Sequence, residues 1–499
     1  MLHNPVLKSG NWTEASFPVS SFKAVCPLTG KQLTESFPVS SFLDLDEMLQ
    51  FQVDMRDQIE GFSDSQRARL LQKIAEKIES AEQELINTAN EETGLEKDTY
   101  LDGKELRSTI AYLRLAAQYC DKDTWADYKL DASKNIVSFR QPMPGPIVIF
   151  GPSSSPFLYS ASVGVSFAAA IAAGNSIIAK GNPAHPATGM KLARLVFAAI
   201  EELQLPRALF QYFHHTTPDL GYRLAAHPLI GALAFNGRFR SGLLLKENAE
   251  RSGNPVYLDL NSVSPALLLP QFVEAKREKL AKDICAQIFE NSGQNPDRPG
   301  PFFIVEDRHS SPMIKQISDA FGRETPKPML SDVKARHLDN LVSDFIRLGA
   351  RKLTKKESYS PTPFSYPYTA MVTDLKNYLK FSRQFQEYAS GPLALFVTLD
   401  SPEQFSQVVK SLESSSNCSI FSESGEIETV KAFLPILRRK CASLLFNRWV
   451  QNEALSPAII RSGAFPASGN PTFSHYGLPE AIKKFTALSC LQGFPDSLR

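Results

Sequence analysis

The sequence predicts an α/β protein built on two parallel-sheet domains, and three observations carry that expectation. Between Ile147 and Leu260, short β-branched or aromatic runs alternate with helical periodicities, as βαβ units do. The alternation resumes, less regularly, beyond Pro270. At 499 residues the chain exceeds one ordinary compact domain, and its 43% hydrophobic content fills a sizeable core.

Taken in order, the chain first shows FPVSSF twice, at Phe17–Phe22 and Phe37–Phe42. Two copies of six residues do not make a solenoid; their alternating apolar pattern predicts two short paired strands. From Ser63 to Glu92, Leu70, Leu71, Ile74, Ile78, Leu85 and Ile86 recur at helical spacing, with Ser63 and Asp64 as caps and Gly94 as a stop. Tyr128–Phe139 alternates around Ala132–Asn135 and predicts a β-hairpin. A strand at Ile147–Phe150 ends at Gly151-Pro152, followed by an Ala-rich helical run to Ala173. Further strands are predicted at Ser176–Lys180, Leu209–His214, Ala232–Gly237 and Val256–Leu260, with helices at Ala187–Leu203 and Gly242–Arg251 between them. Phe302–Glu306, Leu395–Leu399 and Ala442–Phe446 are the expected strands of a second domain between about Ser264 and Val450. Pro361–Pro367 reads as a surface loop.

Composition excludes several functions. A net charge of +1, with no basic cluster interleaved with aromatics, argues against nucleic acid or an anionic membrane surface. The longest apolar stretch, around Ser162–Ala173, is too short to span a bilayer, and the N-terminus lacks a secretory pattern. Cytoplasm is the default expectation. Six scattered cysteines (Cys26, Cys120, Cys285, Cys418, Cys441, Cys490) form no CxxC pair and read as reduced thiols. No metal site is expected: adjacent His214 and His215 on a strand point to opposite faces.

No GxGxxG, P-loop or HExxH motif stands in the chain, and Ser153-Ser154-Ser155 lacks the GxSxG frame of a nucleophile elbow. PGPIVIFGPSSSP, AAGNSIIAKGNPAHP, LDLNSVSPALLLP, SGQNPDRPG, LLFNRW and FPASGNPTFSHYGLPEAIKKF, in that order and spacing, resemble the aldehyde dehydrogenase superfamily. The resemblance is nearest to its NADP-preferring branch, which includes 2-oxoglutarate semialdehyde (2,5-dioxovalerate) dehydrogenases. It implies two Rossmann-like parallel-sheet domains plus a small bridging β element. Residues 1–127 and 142–263 would form the dinucleotide-binding domain, 264–450 the catalytic-type domain, and 451–487 a segment returning to the cofactor side. Segments 128–141 and 488–499 would join subunits into a dimer or tetramer, or pair the chain with an active relative.

The family oxidises aldehydes through a cysteine thiolate in a GQ-x-C-T-x-PG motif. Here that motif falls on Gly293–Gly300, and the cysteine is Pro296. Proline supplies neither a nucleophile nor the backbone N–H that helps hold the oxyanion. The family's SNFP-type asparagine, the other donor, falls on Ser154, with a shorter reach. Losing one such donor costs roughly 2.7–4 kcal/mol of barrier. The general-base glutamate maps to Asp259, one methylene shorter; an acid satisfied by nearby backbone amides is the plain alternative. Of the E-x-F-G-P motif that places the nicotinamide, only Gly391-Pro392 remains, after Tyr388-Ala389-Ser390.

The cofactor side is better kept. Lys180 matches the lysine that bonds the adenosine ribose, though an ordinary strand-end lysine reads the same. Pro183 stands where NAD-preferring members carry a glutamate, so a 2′-phosphate meets no like charge and NADP is favoured over NAD. The FTGS-type turn becomes Phe235-Asn236-Gly237-Arg238, with Gly242 completing the spacing; Arg238 either crowds a pyrophosphate or pairs with it. The readings are then three. The first is a pseudoenzyme that retains dinucleotide binding, and the second an NAD(P)-dependent aldehyde or semialdehyde oxidoreductase working non-covalently through Asp259. Last comes a hydrolase using Ser154.

Overall fold

The computed structural model describes residues 4–355, 363–388, 390–450, 456–495 and 497. Two seven-stranded sheets dominate it. In the first, Val256–Leu260, Ala232–Gly237, Ile147–Phe150, Ile177–Lys180 and Phe210–Phe213 run parallel in that spatial order. Val6–Lys8 and Asn11–Thr13 extend the sheet antiparallel at one edge. Ile147–Phe150 and Phe210–Phe213 are buried at every position, as central strands covered on both faces must be. The apolar helix Val165–Ala172 and the amphipathic helix Pro186–Glu202 pack among these strands in one core.

The second sheet orders Arg351–Lys352, Thr369–Asp374, Leu393–Leu399, Pro299–Val305, Ser264–Leu268, Ser415–Phe421 and Cys441–Phe446. Only Arg351–Lys352 pairs antiparallel there. The α/β architecture with two mostly parallel sheets is therefore as the sequence predicts. Four of its strands, Ser264–Leu268, Arg351–Lys352, Thr369–Asp374 and Ser415–Phe421, lie where the sequence pattern predicts none.

A small third sheet joins Lys129–Asp131, Ile136–Pro142 and Thr486–Gln492. It brings the expected hairpin together with the distant C-terminal segment, Ser138 facing Cys490. The two FPVSSF copies do pair, but from opposite ends of the motif: Ser20–Phe22 meets Phe37–Val39 antiparallel, with Phe22 opposite Phe37.

Two helical expectations need correction. The run Ser63–Glu92 is two helices, Asp64–Ser80 and Glu82–Thr93, interrupted at Ala81, whose φ of −108° and ψ of 11° leave the helical region. Ser63 and Gln66 form a reciprocal capping box, and Gly94 closes the second helix in a left-handed conformation, φ +68°. The Ala-rich helix starts only at Val165. The segment before it is held as a loop by Glu105, whose buried carboxylate accepts from the Ser155 hydroxyl and from the N–H groups of Phe157 and Leu158. A charge-assisted acceptor captures donors that a helix would otherwise have used. Of the expected Pro361–Pro367 loop, 361 and 362 lie outside the described residues.

Candidate functional site

A cleft of about 1170 Å³ lies between the two large sheets. The first sheet contributes the segments at the carboxyl ends of its parallel strands: Gly151–Ser154, Lys180 and Asn182, Phe235–Ser241 and Asn261–Val263. Ligands of open α/β sheets sit at that end because strand and helix termini converge there with free backbone groups. The opposite wall comes from the first turns of helix Asp332–Arg347, through Lys334 and His337, and from residues 383, 384, 386–388, 390 and 412–414, which lead into second-sheet strands.

Ser154, Lys180, Gly237 and Arg238, all singled out from sequence, line this cleft. The Lys180 ammonium donates to the Gly181 carbonyl at 3.0 Å and lies over the Phe150 ring, 5.4 Å from its centroid. Burial without a counter-ion pushes its pKa down to about 8. Ser154 makes no hydrogen bond to a histidine among the described residues; the neighbouring His185 spends its Nε2 on the Pro152 carbonyl, 3.1 Å away. Gly242 sits beneath the cleft instead. A Cβ there would lie 2.5 Å from Leu260 Cδ2, so its smallness serves the packing of helix Phe239–Glu250 on the sheet.

Pro296 is half-buried in an otherwise buried turn, in which Asp297 N–H is held by Asn295 Oδ1 at 3.1 Å. Just before it, Gly293 adopts φ +63°, and its Cβ position falls 2.4 Å from the Gly391 carbonyl oxygen. Gly391 N–H in turn donates to Gly293 O at 3.1 Å. The two motif glycines thus still lock the loop against the strand entry through a backbone contact that no side chain fits. No cysteine lines the cleft: Cys26, Cys120, Cys285, Cys418 and Cys441 are buried thiols, and Cys490 is exposed on the third sheet.

Asp259 is buried and committed. Its Oδ2 accepts from Asn236 Nδ2 at 2.8 Å, across the parallel register that pairs these residues, and from Arg461 Nε at 3.0 Å. The same guanidinium makes a fork to Asp297, with Nη1 at 2.8 and 2.7 Å from its two oxygens, and Asn417 Nδ2 adds a further donor to Asp297 at 3.0 Å. Arg461 also lies over the Tyr159 ring, 5.1 Å from its centroid. Burial alone would raise the Asp259 pKa, yet Arg461 beside it holds the carboxyl below the usual aspartate value. Arg461 itself is pushed upward despite burial because two carboxylates face it. A cation thus bridges the strand carrying Asp259 and the loop carrying Pro296.

Sequence reasoning missed Arg461 and Asp297, and also a buried polar cluster beside them. His475 Nε2 lies 3.3 Å from Ser468 Oγ, and its Nδ1 lies 3.5 Å from Lys484 Nζ. Burial keeps both bases neutral-leaning, His475 down to about 3 and Lys484 down to about 7. Ser468 is buried and absent from the cleft wall, so this serine–histidine pair faces no substrate space there. His214 bonds the Pro5 carbonyl at 3.0 Å while His215 packs on Phe22, and no group of three metal-ligating side chains occurs among the described residues. No helix among them is long and apolar enough to cross a membrane.

Comparison with known proteins agrees with this fold. The sequence model of the aldehyde dehydrogenase family matches residues 12–458. The chain is 26% identical over 476 residues to alpha-ketoglutaric semialdehyde dehydrogenase 2 of Azospirillum brasilense, covering 93% of this chain and 89% of that one. It is 25% identical over 453 residues to the alpha-ketoglutaric semialdehyde dehydrogenase of Acinetobacter baylyi, covering 87% and 84%. Among solved structures, aldehyde dehydrogenase C of Pseudomonas syringae, complexed as a mutant with NAD+ and octanal, superposes with a TM-score of 0.83 at 18% identity, covering 99% of this chain and 97% of that one. The NADP-dependent glyceraldehyde-3-phosphate dehydrogenase of Bacillus halodurans, complexed with NADP, gives 0.82 at 17%, covering 99% and 100%. At such identities the structural likeness shows the fold.

Proposed function

Because the chain belongs to the aldehyde dehydrogenase family, we propose that it is a member whose cysteine chemistry is lost while its nucleotide cleft is kept: a pseudoenzyme that binds NADP in preference to NAD. The observation that carries this reading is the Asp259–Arg461–Asp297 bridge, which occupies the position of the family's base and the residue next to Pro296. A general base needs a free lone pair and a pKa near the working pH. Both donors to Asp259 sit on its Oδ2, and Arg461 holds the carboxyl below the usual aspartate value, which makes it a weak base at working pH. The same pairing counts against the non-covalent route, and Ser154 without a histidine counts against the hydrolase.

The cleft's residues fit a dinucleotide. Lys180 stands uncompensated at a strand end, the first turn of helix Phe239–Glu250 faces the space, and Pro183 leaves no carboxylate against a 2′-phosphate. NADP+, when bound, would supply a hydride acceptor; this chain's part is to bind and orient it, with no cysteine on the cleft wall to form a thiohemiacetal. Residues 1–127 and 142–263 serve as the dinucleotide-binding domain, 264–450 as the catalytic-type domain and 451–487 as the return segment. The third sheet serves assembly with copies of the chain or an active relative, which the exposure of Leu130 and Leu488 supports. Free buried thiols fit a reducing, cytoplasmic setting.

Two measurements test the reading together. NADP+ at about a hundredfold excess over its Kd should stabilise the protein by about 2.7 kcal/mol in a melting experiment. A panel of semialdehydes should give no NADPH above the protein-free background. Turnover at ordinary dehydrogenase rates ends the pseudoenzyme reading, and absence of any thermal response ends the binding one.

A further inference from the structure

A buried carboxylate stands behind one wall of the cleft. Residues Lys97–Leu106 wind as a π-helix, with Leu101 N–H donating to the Glu96 carbonyl five residues earlier. Such turns are rare and recur at functional sites. This one is fastened at both ends to connections between second-sheet strands. Glu96, just before it, pairs with Lys327. Lys104 pairs with Glu290, whose other oxygen accepts from Asn295 Nδ2 at 3.4 Å. The next residue, Glu105, is only 3% exposed. Its two oxygens accept from the Ser155 hydroxyl at 2.8 and 2.7 Å, and one of them also accepts from the N–H groups of Phe157 and Leu158 at 3.2 and 3.0 Å. Burial pushes its carboxyl upward while these donors pull it back. Ser155 Oγ in turn accepts from Tyr159 N–H at 3.2 Å, and the Tyr159 ring lies beneath Arg461. On the other side of Ser155, Gly151–Ser154 forms the cleft wall.

We propose that Glu105 is a positioning residue of the cleft: from behind, it fixes the wall Gly151–Ser154 in the shape that receives the ligand. The proposal rests on the reading of this cleft as a dinucleotide site for what binds there, and is separable from it for how the wall is held. Charge and position act in opposite directions here, and that separates them. As a charge, Glu105 repels an anionic dinucleotide, so removing it would tighten binding. As an anchor, it offers about four lone-pair sites to three donors, where a neutral amide offers one oxygen. A wall freed from that hold must be ordered again by each ligand that enters, which weakens binding.

The test uses the full chain, with NADP+ titrated calorimetrically and amide hydrogen exchange read by mass spectrometry. Glu105→Gln keeps the shape and removes the charge; Ser155→Ala removes one donor and leaves Glu105 in place. Each should weaken NADP+ by about tenfold. Each should also speed exchange across residues 151–164, with exchange elsewhere as in the parent. Asp98→Asn takes the same charge from the exposed face of the same helix and should bind no more weakly than the parent. Unchanged or tighter binding in both wall variants, with the parent still binding NADP+, overturns the positioning role and leaves the dinucleotide reading intact. Weaker binding with faster exchange throughout the chain also overturns it, because the whole fold has then loosened. If the parent binds no NADP+, the dinucleotide reading fails; faster exchange confined to 151–164 then still supports the hold on the wall, and unaltered exchange defeats both.

Discussion

Replacing Arg461 by methionine keeps much of the side chain's length and removes its charge, leaving Asp259 and Asp297 buried side by side. Their side chains are 6% and 7% exposed, and Arg461's is 13%. Each acid keeps one amide donor, Asn236 on Asp259 and Asn417 on Asp297. Removing one partner of a buried pair costs about 3–5 kcal/mol, because a stranded charge loses both water and its counter-ion. Two acids are stranded here, so the upper end of that range is expected for R461M. The sign of the pH dependence sharpens the test. In the parent, Arg461 holds the Asp259 pKa below its unfolded value, so this group's stabilisation is present above the usual aspartate range and is lost as pH falls through the folded value. In R461M burial is opposed only by the lesser pull of His475 and Lys484, so the folded pKa of Asp259 rises from the parent's. The loss of stability on acidification is then smaller in the variant than in the parent. Urea midpoints of parent and variant at two pH values, read by tryptophan fluorescence, measure both effects. Adding Asp259→Asn and Asp297→Asn to R461M should recover most of the loss. A variant as stable as the parent, or one that acid destabilises as much as the parent, would refute the bridge as described.

Restoring the thiol alone should not restore chemistry. Pro296→Cys is expected to give no NADPH formation with semialdehydes, because Asp259 remains tied to Arg461 and Ser154 is a poor oxyanion donor; a rate above the parent's contradicts this. Burial raises the Glu92 pKa to about 7 although Ala187 N–H, Thr188 N–H and the Thr188 hydroxyl donate to it. A raised acid favours the protonated folded state, so about 3 kcal/mol is lost as pH climbs from the unfolded value toward 7. Glu92→Gln should flatten that slope in a pH series of melting curves. Gly293→Ala should cost at least about 2 kcal/mol, visible as a lowered urea midpoint, since its φ is +63° and its Cβ would meet the Gly391 carbonyl.

The strands of the first sheet were legible because a parallel strand covered on both faces writes itself as an unbroken apolar run, as Ile147–Phe150 and Ile177–Lys180 do. Ser264–Leu268 and Ser415–Phe421 are also buried, but proline, serine and asparagine disguise them. The false start of the Ala-rich helix has a cause 50 or more residues upstream, in Glu105, which local pattern does not report. Motif resemblance led to Pro296, Ser154 and Asp259, since those positions are fixed by neighbours in sequence. Arg461 lies 202 positions from Asp259 and 164 from Asp297, so the contact that decides the state of the centre exists only in three dimensions. Its two partners were each visible as acids; that one cation answers both was not.

The proposed loss of aldehyde oxidation is tested most directly in a single turnover. With the protein in excess over NADP+ and a saturating semialdehyde, the absorbance of NADPH is followed from mixing, so that even one slow cycle is seen. A flat trace is expected at every semialdehyde tried, with NADP+ recovered unchanged. A rise approaching the amount of cofactor added would contradict the loss.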